Sequence, residues 1–420
     1  MKKITLFGAA TALMLQLSAP SFAADQVTVD RAEYEQLKAA VEMMLQERAQ
    51  TKADAKETHE LATAAKKSAD EANAFAEAAV EAAESSLSST LNKVTLGGYG
   101  EVHYNNLQAK DSANDVEESD IHRFVLFAGY EYTDTIRFYS EFEIEHGVAG
   151  HEKKGEVEIE QAYIEWDFAE NSSALAGVFL LPIGIMNETH EPNTFYGVER
   201  NNVEKMIIPS TWWESGVMVS HHTDAGLKIE VAAHSGLKLP ESGSKMHAIR
   251  YGRQKASEAD THELAYTAAV TYTGIAGLEI GAAINYQEDV TQVKNDGREE
   301  ALLWVAHVIY NNGPFGLRAL YAEWDIDGDV AKADNMDKQD GYYIEPSYMA
   351  TEKLGFFGRY EDVRAGRGAD RFDQVSLGFN YWLHPQVVLK FNWEERKHEL
   401  SADKATRDYD GYNLGVGWSF

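Results

Sequence analysis

From Val94 to the carboxy-terminus, apolar and polar residues alternate with a period of two, in runs of about ten to fifteen residues between turn-forming breakers. The last run is the clearest. Tyr412, Leu414, Val416, Trp418 and Phe420 alternate with Gly411, Asn413, Gly415, Gly417 and Ser419, giving one large apolar face and one small or polar face. Earlier runs repeat the pattern: Ile136, Phe138, Phe142 and Ile144 alternate with Arg137, Tyr139, Glu141, Glu143 and Glu145, and Val387, Leu389, Phe391 and Trp393 alternate with Val388, Lys390, Asn392 and Glu394. About sixteen strands are predicted, beginning near Val94, Ile121, Thr135, Gly155, Ser172, Trp212, Gly226, Ala259, Ala276, Arg298, Pro314, Gln339, Lys353, Arg371, Gln386 and Tyr409. Alternation slips midway through 155–168, which predicts a bulge there.

The connections between these strands alternate in length. Short turns, as at Thr133-Asp134 and His384-Pro385, are interleaved with long polar segments at 107–120, 147–154, 183–211, 237–258, 291–297, 326–338, 365–370 and 401–408. A soluble sandwich, the competing architecture, has no reason to segregate its loops this way. An even strand number with short turns at one rim and long loops at the other predicts an all-β, antiparallel transmembrane barrel over residues 94–420. Charged sets such as Glu141, Glu143 and Glu145 cannot face hydrocarbon and are expected to face water inside.

Ahead of the strands the period changes. From Asp30 to Leu91 there is no Gly or Pro, and alanine dominates. Val41, Ala55, Ala62, Ala69, Ala76 and Ala83 fall on one heptad position, with Leu37, Met44, Ala65, Ala72 and Ala79 on the other. An α-helical coiled coil over 28–91 is predicted, roughly 90 Å long, with Arg48, Thr51 and Thr58 interrupting its stripe. A lone surface helix is the alternative. Before it, Lys2 and Lys3, an apolar run from Ile4 to Leu17, and Ser21-Phe-Ala23 have the form of a secretory leader comprising residues 1–23.

Composition narrows the possibilities. The chain has no cysteine, so neither disulfides nor thiolate chemistry is expected. Its 21 tyrosines suit interfacial belts. The net charge of −30 excludes a nucleic-acid partner as an expectation and favours cations over anions near the surface.

Three regions could carry function. The longest loop, 183–211, mixes apolar anchors (Ile183, Phe195, Tyr196 and Ile207) with Glu188, His190, Glu191, Glu199, Arg200, Glu204 and Lys205. Such a loop is expected to pack inside the wall and narrow a pore, or else to pack on a neighbouring loop or subunit. The acidic rows of Glu141, Glu143 and Glu145, and of Glu156, Glu158 and Glu160, would favour cations if both face the lumen, with Arg123 and Arg137 offsetting them. Lys238, Lys245, His247, Arg250, Arg253 and Lys255 form a basic run that could attract anions or lipopolysaccharide phosphates, or be an ordinary solvated loop. Glu188-Thr-His190-Glu191 and His221-His222 lack the spacing of a zinc or iron site, and no nucleophile elbow, phosphate loop or triad order is visible. Neither a metal, nor a cofactor, nor an enzymatic activity is expected.

The terminal strand resembles the signal by which outer-membrane proteins are recognised for insertion, and the alanine stripe resembles that of murein lipoproteins in pattern. Leu96-Gly-Gly-Tyr-Gly-Glu-Val-His-Tyr104, and Gly177-Val-Phe-Leu-Leu-Pro-Ile-Gly184 with Phe195 and Glu199-Arg200, resemble segments of the phosphate-selective porin O and P family. The resemblance implies a trimeric sixteen-stranded porin with a folded-in loop and ions passing through the lumen. Acidic residues predominate where a phosphate path would need arginines and lysines, so the phosphate preference does not carry over. The expectation is a bacterial outer-membrane porin passing small hydrophilic solutes or ions, with its helix in the periplasm and lipid and lipopolysaccharide around it. Arg123, Arg137, Glu141, Glu143, Glu145, Glu188, His190, Glu199, Arg200 and Lys390 are its candidate pore-lining residues. Two rival readings are a substrate-specific receptor for a metal complex or siderophore, and an envelope tether acting on the cell wall through 28–91.

Overall fold

The computed structural model describes residues 30–150, 154–294, 297–366, 371–399 and 408–420. The leader assigned to 1–23 lies outside the described residues. The chain divides into two compact units, Met1–Ser86 and Leu87–Phe420.

Helix α1 (Arg31–Leu91), most of which belongs to the first unit, runs without a break. Alanine, lysine and glutamate have high helix propensity. Two exposed i,i+4 pairs, Lys56–Glu60 and Lys67–Glu71, contribute a few tenths of a kcal/mol at about 0.3–0.5 each. Leu37, Val41 and Met44, spaced as one stripe, are all exposed. None of the described helices is long and apolar enough to cross a membrane.

The second unit is a closed barrel of sixteen strands: β1 (Val94–Ala109), β2 (Val116–Thr133), β3 (Ile136–Glu145), β4 (Val157–Ala169), β5 (Ser172–Leu180), β6 (Trp213–His222), β7 (Leu227–His234), β8 (Ala265–Ile275), β9 (Leu278–Gln287), β10 (Glu300–Asn312), β11 (Phe315–Asp327), β12 (Lys338–Met349), β13 (Leu354–Arg364), β14 (Arg371–His384), β15 (Val387–His398) and β16 (Tyr409–Ser419). Each pairs antiparallel with its neighbours in the chain, and β16 closes on β1 from Tyr99↔Ser419 to Ala109↔Tyr409. The Phe420 and Gly98 backbones exchange hydrogen bonds of 2.9 and 3.1 Å at that closure.

The alternation read from sequence sorts side chains between the two faces. Phe142, Ile159, Trp166, Val217, Val231, Leu302, Leu377 and Leu414 lie exposed on the outside, while Glu141, Glu143, Asn285, Glu345, Asn392 and Asn413 are buried inside. The slip in β4 is a bulge: pairing passes from Glu141↔Gln161 to Phe142↔Ile159, leaving Glu160 as the extra residue, so that the consecutive Glu160 and Gln161 both face inward. Two expected boundaries move. Val116–Asp120 belong to β2 rather than to a loop, because their backbones pair with Tyr104, Asn105 and their neighbours although the stretch is acidic. Residues 259–264 are loop rather than the start of β8, held by the amides of Gln254 and Gln292 to the backbones of Asp260, His262 and Glu263.

Candidate functional site

The interior is occupied by the barrel's own long loop. Residues 181–212 leave β5, cross the inside and return to β6, with Leu181, Ile183, Val198, Val203, Ile207 and Ile208 fully buried. A short helix, α2 (Asn202–Met206), forms in it because the Asn201 side chain caps the Glu204 N–H at 2.8 Å. Glu204 then organises the loop. Its carboxylate accepts from the Ile185 and Met186 N–H groups at 2.9 and 2.6 Å, from Asn201, and from the Tyr343 hydroxyl of β12 at 3.0 Å.

The far wall receives the rest of the loop. Asn392 accepts from the Val198 N–H at 2.9 Å, Asn380 donates to the Phe195 carbonyl at 2.9 Å, and Trp324 donates to the Ile207 carbonyl at 2.8 Å. Arg318 and Arg396 donate to the Thr194 carbonyl and the Asn202 side chain at 2.8 and 2.9 Å. The small face of β16 makes room: a Cβ on Gly417 would lie 2.4 Å from Pro192, and one on Gly415 3.1 Å from Val198.

The basic run of 237–258 is not a solvated loop. Leu237, Leu239 and Ile249 are buried, and the loop lies against the first one. Arg250 donates to the Lys205 carbonyl at 3.1 Å and to the Ser210 carbonyl, and Arg253 donates to the Thr211 carbonyl at 2.5 Å. Lys255 pairs with Glu156 and Glu158. The apolar signal was legible in Leu237, Leu239 and Ile249, but the lysines and arginines around them masked it.

Two water-accessible spaces flank the folded-in loop. The lower one, about 590 Å³, reaches the short turns at Thr223 and Thr273 and carries Glu188, Glu230 and Glu279 against Lys228 and Arg318. The upper one, about 530 Å³, reaches Leu107, Val116 and Tyr409 near the long loops and carries Glu118, Asp120, Glu199 and Glu394 against Arg200, Lys205, Arg250 and Arg396. The acidic predominance expected from sequence is therefore absent from the upper space, where four carboxylates face four cations.

The ten residues singled out in the sequence divide into groups. Arg123, Glu141, Glu143 and His190 come together in the wall beneath the loop. Buried Arg123 donates to Glu101 at 2.6 Å and to the His190 carbonyl at 2.5 Å. Glu141 accepts from Tyr99 and Gln161 at 3.1 and 2.6 Å, and His190 Nε2 lies 3.4 Å from Glu160. Glu199 and Arg200 line the upper space and Glu188 the lower. Lys390 is buried with its ammonium 3.4 Å from the Phe195 ring centroid, a cation–π contact that anchors the loop. Glu145 sits near Glu156 and Glu158 at the top of β3. Arg137 is apart from all of these at the short-turn rim, paired with Asp167 at 2.7 Å and Glu165 at 3.2 Å. Arg396 was missed as a lining residue, and Lys205, though noted among the loop's charges, was not singled out because a loop carries no periodicity to aim it.

Glu188 and Lys205 are among the loop groups with altered acidities. Enclosure by the wall raises the Glu188 carboxyl to about 7, aided by Glu230, opposed by Lys228 and aided again by Glu279, while the exposure of its side chain works against the shift. Burial lowers Lys205; Glu199 opposes this, and Arg250, Arg200 and Arg396 add to it.

Comparison with known proteins places this geometry. A protein of Aquifex aeolicus (strain VF5), described as uncharacterized, is 29% identical over 370 residues, covering 78% of this chain and 80% of its own. An anion-selective porin from Comamonas acidovorans shares the fold with a TM-score of 0.55 at 12% identity, over 78% of this chain and 99% of that one. OmpF of Salmonella typhi, solved in complex with daunomycin, does so with a TM-score of 0.54 at 12% identity, over 78% and 97%. The model of the Gram-negative porin family matches residues 240–399, so that the chain is similar to porins in sequence over that stretch and in fold over most of its length.

Proposed function

We propose that this chain is a passive outer-membrane channel for small hydrophilic solutes and ions, with residues 181–212 forming its constriction. The observation that carries this reading is the pair of polar, water-accessible spaces on either side of one folded-in loop, inside a closed barrel whose outer face is apolar. Apolar side chains outside and carboxylates and amides inside suit a wall between lipid and water. The family-model match and the shared fold support it.

The charge pattern argues for weak selectivity. Carboxylates and cations face each other in the upper space, and in the lower one carboxylates outnumber cations by one. A phosphate path would need an excess of arginine and lysine along the lumen, so phosphate selectivity is not part of the reading. Homotrimeric assembly and contact with lipopolysaccharide belong to it, as does a periplasmic position for α1, whose exposed Leu37, Val41 and Met44 offer a stripe for helix–helix association.

Planar-bilayer recording tests the proposal directly. Stepwise openings in threes, with small reversal potentials in a potassium chloride gradient, are expected. A chain that inserts as a folded barrel yet never conducts would overturn the channel reading, and a strong preference for phosphate over chloride would overturn the charge argument.

A further inference from the structure

Asp120, His122, His146 and Glu199 line one patch of the upper space, with His103 behind it in the wall. Asp120 Oδ2 lies 2.6 Å from His146 Nδ1 and 3.5 Å from His122 Nδ1. The His122 ring stacks on His103 with 4.4 Å between centroids and meets His146 edge-on at 5.6 Å. Deeper in the wall, His103 Nδ1 is 3.0 Å from Glu199 Oε1. One ligand-type atom from each of Asp120, His122 and His146 falls within 4.8 Å of the others, and the same holds for His103, His122 and Glu199. His122 belongs to both triplets.

A backbone irregularity builds the patch. Pairing between β1 and β2 passes from Glu101↔Arg123 to Val102↔Ile121, which leaves His122 as an extra residue. Strict alternation from inward-facing Arg123 would put Ile121 inside and send both His122 and Asp120 outward. With the bulge, Ile121 is 40% exposed outside, and His122 and Asp120 line the upper space. Bulges re-aim side chains in this way, and they are over-represented beside functional sites.

We propose that Asp120, His122 and His146 bind a divalent transition metal of the zinc, cobalt or nickel type, with His103 and Glu199 completing a deeper subsite through shared His122. Imidazole suits these ions, whereas magnesium and calcium take all-oxygen sets, so the histidines fix the class of metal. Zinc–nitrogen bonds of about 2.0–2.1 Å in a tetrahedron place ligand atoms roughly 3.3 Å apart. The Asp120–His146 and Asp120–His122 separations of 2.6 and 3.5 Å bracket that value, and all three ligand atoms lie within 4.8 Å of one another, close enough to converge on one ion by rotation of the rings. Access is open, because the side chains of His146 and His122 are 37% and 24% exposed in a space of about 530 Å³ that carries the site in its wall. The second subsite gives a bound ion somewhere to move, from the long-loop side toward the folded-in loop. Metal binding here does not depend on the channel reading.

The test is a cobalt(II) titration of the full, untagged chain folded in detergent, followed by visible d–d absorption. Bands that saturate at one cobalt per chain, are displaced by zinc and ignore excess magnesium are expected. His122→Asn and His146→Asn should each weaken binding by at least about tenfold, the lower bound for losing even an outer-shell partner of a metal ligand. His59→Asn, on α1, should leave it unchanged. The mobility shift between heated and unheated samples on electrophoresis shows that each variant is a folded barrel. Absence of d–d bands in the native chain, or their persistence in a folded His122→Asn/His146→Asn double variant, would overturn the site and reduce the Asp120–His146 contact to a structural hydrogen bond.

Discussion

Single atoms at the loop's seat decide how it is held. The missing side chains of Gly415 and Gly417 are what allow Val198 and Pro192 to approach β16. Gly417→Val should push Pro192 away and destabilise the docked loop by about 1–3 kcal/mol, the usual cost of overpacking. Faster proteolysis within 184–211, at unchanged strand content by circular dichroism, is the expected readout. Glu204 is the second such point: Glu204→Ala leaves the Ile185 and Met186 N–H groups and the Tyr343 hydroxyl without their acceptor, at about 1–3 kcal/mol for each buried group left unsatisfied. A lowered unfolding temperature with irregular conductance would follow. Glu188 supplies a pH dependence. Enclosure raises its carboxyl toward about 7 while its exposed side chain works against the shift, so the carboxyl gains its charge above the ordinary carboxylate range. Cation preference should therefore increase as pH rises from about 4 to 8, and the step should vanish in Glu188→Gln. Much of this was readable at the level of residue type, since the small face of the last strand and the charges of 183–211 stand in the sequence. What the small face receives was not readable, because Gly417 and Pro192 meet only through the closed fold.

Elements were more legible than sites. Most strand starts fall within a few residues of their expected positions, because alternation over ten or more residues is a local signal that survives folding. The two exceptions have separate causes: backbone pairing extended β2 through acidic Val116–Asp120, and side-chain amides kept 259–264 out of β8. Bulges split the same way. The one in β4 shows in the sequence as a broken alternation, whereas the one at His122 is silent, since His, Arg and Asp are acceptable on either side of a strand near its end. Between elements, Arg250 and Arg253 tie the second long loop to the first through backbone carbonyls. Each charge-assisted bond is worth about 1.5–3 kcal/mol. An Arg250→Ala/Arg253→Ala variant should keep its barrel and lose its steady constriction, seen as larger and noisier single-channel currents.

At the scale of the whole molecule, the barrel and α1 are separate compact units, and their contributions separate experimentally. A chain lacking residues 31–91 should fold and conduct as the full chain does, with cross-linked oligomers reduced if the stripe of Leu37, Val41 and Met44 supports assembly. Retained oligomers would place assembly in the barrel alone. The closing of β16 on β1 carries one more consequence, for the order of events in folding. The loop after β5 finds its partners on β11 through β16, as in the Val198–Asn392 bond that spans 194 residues. Until those late strands are in place the loop has only its partners on β1, β2 and β4, and without Gly415 and Gly417 it has no room against β16. Contacts of such long sequence separation form slowly. In a refolding experiment, protection of 184–211 should therefore rise together with closure of the β1–β16 pair, so that the wall and the narrowing inside it are completed in a single step.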